Sequence, residues 1–529
     1  MARVESNSGA RIFVRDVYAN ILGDEPRAPI VSDRDAQRLA ALSSRADLAE
    51  DVSWLRECGP RETGSPEHTR FVNWIAGQLT SLGLPVERKS YPFNCWSVPL
   101  TGSACSLTVH DAGGRNLTIP IASTYPYSGR TPPDGITAPL HLVRNPYWWF
   151  GCAGKIAVIE IPHPSVPVNV LLEDVGHLPA DATGFPTTYQ HPVLSAYAFG
   201  PMLSLAKRAG ALGVVALWKG MSPAQAADQY VRFDLPYQEI PAVWVAGADG
   251  ERLLERARKE HHATLTVAAS LQGTSTDTVW TVVEGENTKE SILVLTHTDG
   301  GNAVEENGAI GILQLARMFA AGPRPKRTLV FIFVTGHLHI PAVTVTKPVN
   351  RAQAATAWLK AHPQWWSGKD GAPRAVAGVV IEHLGALAHP RPAPGDAVEP
   401  AIELTYATNG MMTKIVKESW AGRQRGKTLI AKPNGLFQIG EGDPLYQEGI
   451  PAIALISVPE YLLAATRADV VDIDLMHEQI GAFARALLLL EVAPAQLLGR
   501  AERAGFLQKF RSLIRLALLV VRVRLRALT

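Results

Sequence analysis

The sequence predicts an α/β fold with a mostly parallel central sheet, helices on both faces, and a β-rich domain inserted into it. From residue 277 onward, continuous apolar runs of strand length alternate with amphipathic segments, which is typical of a parallel sheet covered on both faces. Between residues 96 and 276, short apolar runs are separated by proline- and glycine-rich turns. The length of 529 residues also favours two or three domains.

Composition narrows the classes of function and location. Hydrophobic residues make up 47% of the chain and charged residues 19%, as in a folded globular protein. The net charge of +2 argues against nucleic acid as the main partner, because phosphate binding needs a concentrated basic surface. The four cysteines form no CxxC pair and are expected to be reduced thiols. No secretory signal and no run of about 18 apolar residues is present, so we expect a cytoplasmic protein without a membrane span.

Residues 1 to 95 are predicted to hold N-terminal helices and the start of the main domain. One amphipathic helix repeats apolar residues every three or four positions and stops at a glycine; these residues are Phe71, Ile75, Leu79, Leu82 and then Gly83. The segment "PVERKSYPF" follows as a strand. We expect the helix to pack on the edge of a sheet.

Residues 96 to 276 are predicted to form the inserted domain. Its strand-length runs are "GKIAVIEIP", "GALGVVALW" and "IPAVWV", and a helix, "PMLSLAKRAGALG", runs into the second of them. Short strands bounded by turn residues in this way predict a β-rich unit.

Residues 277 to 490 are predicted to form the domain that carries the functional site. Its strands are "SILVLTHTD", "RTLVFIFVTG" and "AVAGVVIEHLG", with the helices "GAIGILQLARMFA" and "AQAATAWLKAH" between them. In sheets of this kind the ligand site lies at the carboxyl ends of the strands. The polar residues directly after each apolar run are therefore the candidates.

Four polar clusters occupy those positions. They are His297 with Asp299, Glu305 with Glu306, His337 with His339, and Glu382 with His383. A metal site needs imidazole and carboxylate ligands from several elements, and a further group that orients the imidazole. Each cluster alone also fits an ordinary hydrogen-bonded residue, but buried charges need a partner or a metal. Together they predict a metal centre.

On these residues the chain resembles the family of co-catalytic zinc aminopeptidases that also holds glutamate carboxypeptidase, the transferrin receptor and glutaminyl cyclase. The likeness spans roughly residues 55 to 490. The opening "RETGSPEHTRFVNWIAGQLTSLGLPVERKSYPF", the H-x-D of "ILVLTHTDGG" and the late strand "GIPAIALIS" are similar to that family's. The segment from "GKIAVIEIP" to "IPAVWVAGADGERLL" resembles the protease-associated domain inserted in many members.

In that family two zinc ions share a bridging aspartate, and each ion also has ligands of its own. The resemblance implies that His297 is a metal ligand and that Asp299 is the carboxylate that orients it. It implies that Glu382 is a ligand in place of an aspartate. Glu305 or Glu306 falls near the bridging aspartate; the shortened loop leaves open which one is the ligand, and Glu306 is also a candidate catalytic carboxylate.

The other half of the family's site is missing. His337 and Leu338 stand where the family has a Glu–Glu pair, and Ala465 or a neighbour stands where it has a late histidine. Both ligands that belong to the second metal alone are absent, so the resemblance implies one divalent ion, zinc, instead of two. His337 takes the place of the general base, and an imidazole with a pKa of about 6.5 suits proton transfer at neutral pH.

Two classes of function stay open. The first is a divergent metal-dependent hydrolase acting on an amide or peptide-like bond of a small molecule or short peptide; a metal-dependent lyase or cyclase fits the same residues. The second is a catalytically inactive binding protein, because the transferrin receptor shares this architecture. Catalysis is favoured because decay would fill the pocket with small or apolar residues, whereas this one carries His337, His339, Glu382 and His383.

Four further residues have open roles. His339 and His383 either support the ligands and substrate or are packing residues. Glu441 and Asp443, in "GEGDP", lie where the family lines its substrate pocket, so they are candidates for binding a substrate amine or a metal. The alternative for both acids is a glycine-flanked surface turn with solvated side chains.

Residues 491 to 529 are predicted to be a basic amphipathic tail. Its apolar stripe is Leu507, Phe510, Ile514, Leu518, Val521, Leu525 and Leu528, and its arginine stripe is Arg511, Arg515, Arg522 and Arg526. Such a helix lies in a membrane interface, or docks on its own body or on a second subunit of a homodimer. The alternating "VRVRLR" also allows an edge strand.

Overall fold

The computed structural model describes residues 33–99, 104–111, 114, 116–320, 322–344, 352–435 and 437–528. The side chains of residues 524–528 lie outside this description, as do residues 1–32. The predictions for Leu525, Arg526 and Leu528 therefore fall outside the described side chains.

The described chain opens with helices and one long strand: α1 (Asp33–Ala40), α2 (Arg45–Cys58), α3 (Pro66–Ser81) and β1 (Glu87–Ser97). Ser44 starts α2 in a reciprocal capping box with Asp47. Ser65 accepts a hydrogen bond at the start of α3, where proline follows as the first helical residue. The predicted amphipathic helix is confirmed, because the α3 positions that are buried include three of its four predicted apolar residues.

The middle of the chain is rich in short strands. Its elements are β2 (Cys105–His110), β3 (Asn116–Ile119), β4 (Ser123–Thr124), β5 (Ile136–Val143), β6 (Ile156–Pro162), β7 (Val166–Pro167), α4 (Val168–Leu171), β8 (Leu172–Leu178), β9 (Thr188–Tyr189), α5 (Pro192–Phe199), α6 (Leu203–Arg208), β10 (Gly213–Lys219), α7 (Pro223–Ala226), β11 (Ala242–Ala246), α8 (Gly247–Arg258) and β12 (His262–Val267).

The last part of the chain alternates strands with helices. Its elements are β13 (Ser270–Val283), β14 (Asn287–His297), α9 (Gly308–Ala320), β15 (Arg327–Val334), α10 (Ala354–Ala361), β16 (Arg374–Ile381), β17 (Glu403–Ala407), α11 (Gly410–Ser419), β18 (Thr428–Pro433), α12 (Asp443–Glu448), β19 (Ala452–Ser457), α13 (Ile473–Val492), α14 (Ala495–Leu498) and α15 (Phe506–Leu528). Two short 3₁₀ helices, Ile340–Ala342 and Pro363–Trp365, flank α10.

Within the described residues, the first sheet has nine strands in the order β1-β13-β15-β14-β16-β19-β17-β18-β8. The central strands β15, β14, β16 and β19 run parallel, as predicted. The strands β1, β13 and β8 toward the edges pair antiparallel with their neighbours, and β17 also pairs antiparallel with β19. The difference shows in the burial: β15 is buried throughout, whereas β1 alternates between exposed and partly buried residues, as an edge strand does.

A second sheet, with the order β3-β2-β12-β5-β6-β10-β11-β4, is formed by residues between 105 and 267. Its strands β5, β6, β10 and β11 are parallel. Two segments of the range 96–276 belong to the first sheet instead: β8 pairs with β18, and β13 begins at Ser270 and pairs with β1. The four cysteines are free thiols.

Helices cover both faces of the first sheet. On β14, Ile292 and Val294 join one hydrophobic core with α9 and α13, whereas Leu293 and Leu295 join another with α10 and α12. The alternation follows from the two-residue period of a strand. None of the helices in the described ranges has both the length and the apolar character that crossing a membrane requires.

Candidate metal centre

Polar side chains from neighbouring strands converge at one edge of the first sheet. His297 is the last residue of β14, Glu382 and His383 directly follow β16, and His337 lies in the turn after β15. These three strands are parallel, so their carboxyl ends meet at the same edge.

Three of these residues form a compact group of ligand atoms. One ligand atom each from His297, Glu382 and His383 lies within 4.8 Å of the other two. Nε2 of His297 is 3.6 Å from Oε2 of Glu382, and the rings of His297 and His383 are 6.0 Å apart at 73°. All three residues are buried. The described residues form no other group of this kind.

Backbone carbonyls fix which nitrogen of each ligand histidine faces the group. Nδ1–H of His297 donates to the carbonyl of Asp299 at 2.9 Å, and Nδ1–H of His383 donates to the carbonyl of Ser457 at 2.6 Å. A carbonyl only accepts, so Nε2 is the nitrogen that carries the free lone pair when each ring is neutral. This is the arrangement in which metal-ligating histidines are held.

The inward atoms of the group have no hydrogen-bond partner among the described residues. They are Nε2 of His297, Nε2 of His383 and Oε2 of Glu382. Buried polar atoms are rarely left unpaired, and two imidazole nitrogens with one carboxylate oxygen are the donors that Zn²⁺ takes in catalytic sites. The residues therefore fit a divalent metal ion.

The electrostatics of the site also favour a cation. Burial lowers the pKa of His297, but Glu382, Glu305 and Asp299 outweigh burial and raise it to about 10. The carboxylates therefore favour a positive charge at this position, which a bound cation supplies as well as a proton does. Burial lowers the pKa of His383 to about 3, so this second imidazole stays neutral.

The backbone at His383 is held in a conformation that most residues avoid. Its φ of 57° is in the left-handed region. The following residue, Leu384, donates its N–H to Oδ1 of Asn307 and accepts from Nδ2 of Asn307, both at 2.8 Å. Asn307 thus fixes the turn that presents His383, and strain of this kind is typical of functional sites.

His337 lies beside the ligand group. Its ring stacks on His297 with centroids 4.0 Å apart, and its Nδ1–H donates to Oε1 of Glu441 at 2.8 Å. Its side chain is 11% exposed, whereas the two ligand histidines are 2% exposed or less. His337 is therefore the most solvent-accessible of these three histidines.

Glu441 forms hydrogen bonds with His337, with Glu382 and with the start of α10. Its carboxylate also accepts from the backbone N–H groups of Ala354 (3.2 Å) and Ala355 (2.8 Å) at the start of α10. Its own N–H donates to Oε1 of Glu382 at 2.9 Å. Gly440 has a φ of 86°, and a Cβ there would lie 2.6 Å from Oε1 of Glu382, so glycine is required.

The solvated surface turn considered for Glu441 and Asp443 is wrong, because both side chains are buried. Oδ1 of Asp443 accepts from the N–H of Gln438 at 2.8 Å and from Nε2 of Gln447 at 3.1 Å. The two acids fold the loop back on itself. Neither belongs to the ligand group.

Asp299 has a different role from the one predicted. Its carboxylate accepts from the N–H of Gly336 (3.1 Å), the N–H of Leu338 (2.9 Å) and the hydroxyl of Thr63. The group that orients His297 is its backbone carbonyl. Burial raises the pKa of Asp299, but the surrounding histidines bring it below the ordinary value. The carboxylate therefore fixes the turn that carries His337.

Glu305 and Glu306 lie outside the ligand group. Glu306 forms a buried ion pair with Arg61. Oε2 of Glu305 accepts from the N–H of Gly301 at 2.6 Å. Burial raises the pKa of Glu306 to about 7 and that of Glu305 well above its ordinary value. The structure thus brings together His297 and Glu382 as predicted neighbours and adds His383 to them.

His339 and residues from the middle of the chain enclose the site. The ring of His339 stacks on Tyr127 with centroids 3.5 Å apart, which is a packing contact, and burial lowers its pKa to about 3. The ring of Phe233 is 5.6 Å from that of His337. Leu338 belongs to the core of the second sheet. The second sheet therefore forms one wall of the site.

Several supporting residues have weak signals in the sequence. Asn307 follows the Glu–Glu pair in "EENG", and its place in that motif is its signal in the sequence. Ser457 acts through its carbonyl and Arg61 through contacts with residues far along the chain, so neither has a local signal. The sequence indicates His337 and Glu441 separately as candidates, but their spacing does not show that they are hydrogen-bond partners.

Solved structures of a peptidase and of two aminopeptidases, one of them a zinc enzyme, have a similar fold. The Peptidase M28 precursor from Shewanella amazonensis SB2B has a TM-score of 0.58 and 15% identity, covering 87% of this chain and 96% of its own. The aminopeptidase from Aneurinibacillus sp. strain AM-1 has a TM-score of 0.55 and 16% identity, with 86% and 95% covered. BSAP, a zinc aminopeptidase from Bacillus subtilis, has a TM-score of 0.51 and 15% identity, with 87% and 95% covered.

No family model matches the sequence, and no curated protein matches it. The structural likenesses cover most of this chain and nearly all of the similar chains. They confirm the predicted zinc aminopeptidase fold.

Proposed function

We propose that this chain is a metal-dependent hydrolase of an amide or peptide-like bond, with one divalent ion, zinc, held by His297, Glu382 and His383. The observation that carries the proposal is the set of three buried ligand atoms, on two adjacent parallel strands, that lack partners among the described residues. The ligand set differs from the one that the resemblance implies, because His383 replaces Glu305 or Glu306.

When bound, a zinc ion would polarise the scissile carbonyl and lower the pKa of a water molecule from about 15.7 to about 7. His337 takes a proton from the attacking water at Nε2 and passes it to the leaving nitrogen. The carboxylate of Glu441 accepts the Nδ1–H of His337, so it keeps Nε2 available as the acceptor and stabilises the imidazolium that forms.

Glu441 also sets the distance between the base and the metal ligands. Because its N–H holds Glu382 and its carboxylate holds His337, movement of the loop would displace both. The start of α10 fixes that loop through two further hydrogen bonds. Preorganisation of this kind places a catalytic group without cost at the moment of reaction.

The substrate we propose is a small amide or short peptide. The solved proteins of this fold are called aminopeptidases, which favours peptide-like bonds. The ring of Phe233 packs near that of His337, and residues of the second sheet's core enclose one side of the site. Both features favour a small substrate. Only one metal group is formed by the described residues, so binding of a free amino terminus by a second ion is not part of the proposal.

Metal analysis of the purified full chain tests the site. We expect about one equivalent of zinc, and loss of it in His383→Ala and in Glu382→Gln. His339→Gln is the matched control, because it removes a buried histidine that stacks on Tyr127 and lies outside the ligand group. Two equivalents, or full zinc content in His383→Ala, would refute the assignment.

Hydrolysis assays test the reaction. Chromogenic aminoacyl and acyl amides are incubated with the zinc-loaded chain, with and without a chelator. We expect turnover that the chelator abolishes, and none in His337→Ala although its zinc content is unchanged. Zinc binding without turnover of any amide would favour an inactive binding protein, and unchanged turnover in His337→Ala would remove this residue from the mechanism.

A further inference from the structure

The last described helix, α15, has three distinct faces. One face lies on the protein: Oγ of Ser512 donates to the carbonyl of Asn434 at 2.8 Å, and Val520 and Val523 pack on the core of the second sheet. Leu516 and Leu519, on the same face, are half-buried. The helix is therefore docked on the body of the protein along one side only.

The second face, called here the apolar arc, consists of Phe506, Leu507, Phe510, Ile514, Leu518 and Val521. At 3.6 residues per turn these positions lie on one continuous stripe. Phe506 is 81% exposed and Leu518 is 54% exposed. Soluble proteins rarely leave so many large apolar side chains exposed together, and such a patch marks a binding surface.

The third face is basic. Arg511, Arg515 and Arg522 lie along one edge of the apolar arc, Lys509 lies along the other, and all four are exposed. The sequence from 506 to 528 contains no aspartate or glutamate. Arg511 and Arg515 line a cleft together with Glu173 and Asp174.

We infer that α15 binds the surface of an anionic phospholipid membrane through the apolar arc and its flanking basic residues. Helices of this composition lie in the plane of the interface with the apolar side buried among the acyl chains and the cations at the phosphates. A second copy of the chain fits less well, because packing arc on arc would bring two arginine stripes together. The inference is independent of the proposed reaction.

Vesicle co-sedimentation of the full chain tests this inference. We expect the chain to bind vesicles of mixed phosphatidylglycerol and phosphatidylcholine and to bind pure phosphatidylcholine vesicles much more weakly. Phe510→Glu with Leu518→Glu should abolish binding. The matched control is Leu212→Glu with Leu271→Glu, whose side chains are also partly exposed (40% and 38%) but lie outside α15; it should bind like the unaltered chain.

The charged flank has its own test. Arg511→Gln with Arg515→Gln should weaken binding to the anionic vesicles by about 30-fold, because each of the two arginines contributes about half of that loss in binding free energy. The loss should be smaller at high salt, which screens the attraction between the arginines and the anionic surface. If this variant binds the anionic vesicles as tightly as the unaltered chain does, the electrostatic part of the inference is overturned.

Two further outcomes would overturn the inference as a whole. One is absence of binding to anionic vesicles by the unaltered chain. The other is a dimer in light scattering that becomes a monomer in Phe510→Glu with Leu518→Glu, without vesicle binding, which would assign the arc to a second copy. Phe510→Gln with Leu518→Gln, which adds no charge, replaces the glutamate pair if circular dichroism shows that pair to be misfolded.

Discussion

Replacement of Arg61 by methionine is expected to be one of the most destabilising single changes near the site. The guanidinium is buried and forms an ion pair with Glu306. It also donates to the backbone carbonyls of Leu55 (2.8 Å), Asn302 (3.0 Å) and Gly59. Removing it leaves a buried carboxylate and these carbonyls without their donor.

The expected loss is about 3–5 kcal/mol of the free energy of unfolding, the usual cost of removing one partner of a buried ion pair. In the double variant Arg61→Met with Glu306→Leu, part of that loss should be recovered, because no buried charge remains. The part that is not recovered reports the carbonyls left without a donor, since an unpaired buried carbonyl costs about 1–3 kcal/mol. The effects are measured by urea unfolding of the metal-free chain, followed by circular dichroism.

The same variants separate two roles for Glu306. If it serves only to pair with Arg61, the double variant keeps about one equivalent of zinc. A stability loss below about 1 kcal/mol in Arg61→Met would refute the ion-pair argument. Loss of zinc from the double variant, with the fold intact, would return Glu306 to the ligand set.

Three further predictions follow from single contacts. Glu441→Gln should lower kcat about 100-fold with zinc content unchanged, because the imidazolium of His337 loses its carboxylate; unchanged kcat would contradict this. Asn307→Ala should weaken zinc binding by about 10–100-fold in competition with a chelating dye, because the turn at His383 loses its two hydrogen bonds; Asn434→Ala, outside the site, is the control. Burial lowers the pKa of His191 to about 4 from an ordinary value of 6.5, so the unfolded state binds the proton more tightly. Stability should therefore fall by about 3 kcal/mol as the pH falls from 6.5 to 4, and His191→Gln should reduce that fall; an unchanged pH dependence of urea unfolding would contradict this.

The central strands and the residues at their ends could be predicted from local pattern. β14, β15 and β16 are apolar because both faces of the sheet are covered. The sequence therefore shows where each of these apolar runs begins and ends. His297 and Glu382 follow from those ends. β8 could not be predicted, because its sequence "LEDVGHL" mixes polar and apolar residues without a strand pattern. It is a strand because it pairs with β18, some 250 residues later.

The membership of the proposed ligand group could not be predicted for a related reason. Glu306 and His383 both follow apolar segments and both offer a metal-binding atom. What separates them is that Arg61 reaches Glu306 across the fold, whereas the carbonyl of Ser457 turns Nε2 of His383 toward Glu382. Contacts between residues so far apart in the chain produce no periodic pattern in the sequence. A backbone carbonyl is present in every residue type, so its role cannot be predicted from the identity of the residue.

Charge balance favours the single metal ion that we propose over two. Arg61 neutralises Glu306, and burial raises the pKa of Glu305 well above its ordinary value, which disfavours its charged form. The carboxylate of Asp299 is stabilised by two backbone N–H groups and a hydroxyl. Glu382 and Glu441 are then the carboxylates left to offset a divalent ion, one as a ligand and one through His337. A second ion would bring two more positive charges into a buried site in which Arg61 already pairs with Glu306, and burying charge without full compensation is costly.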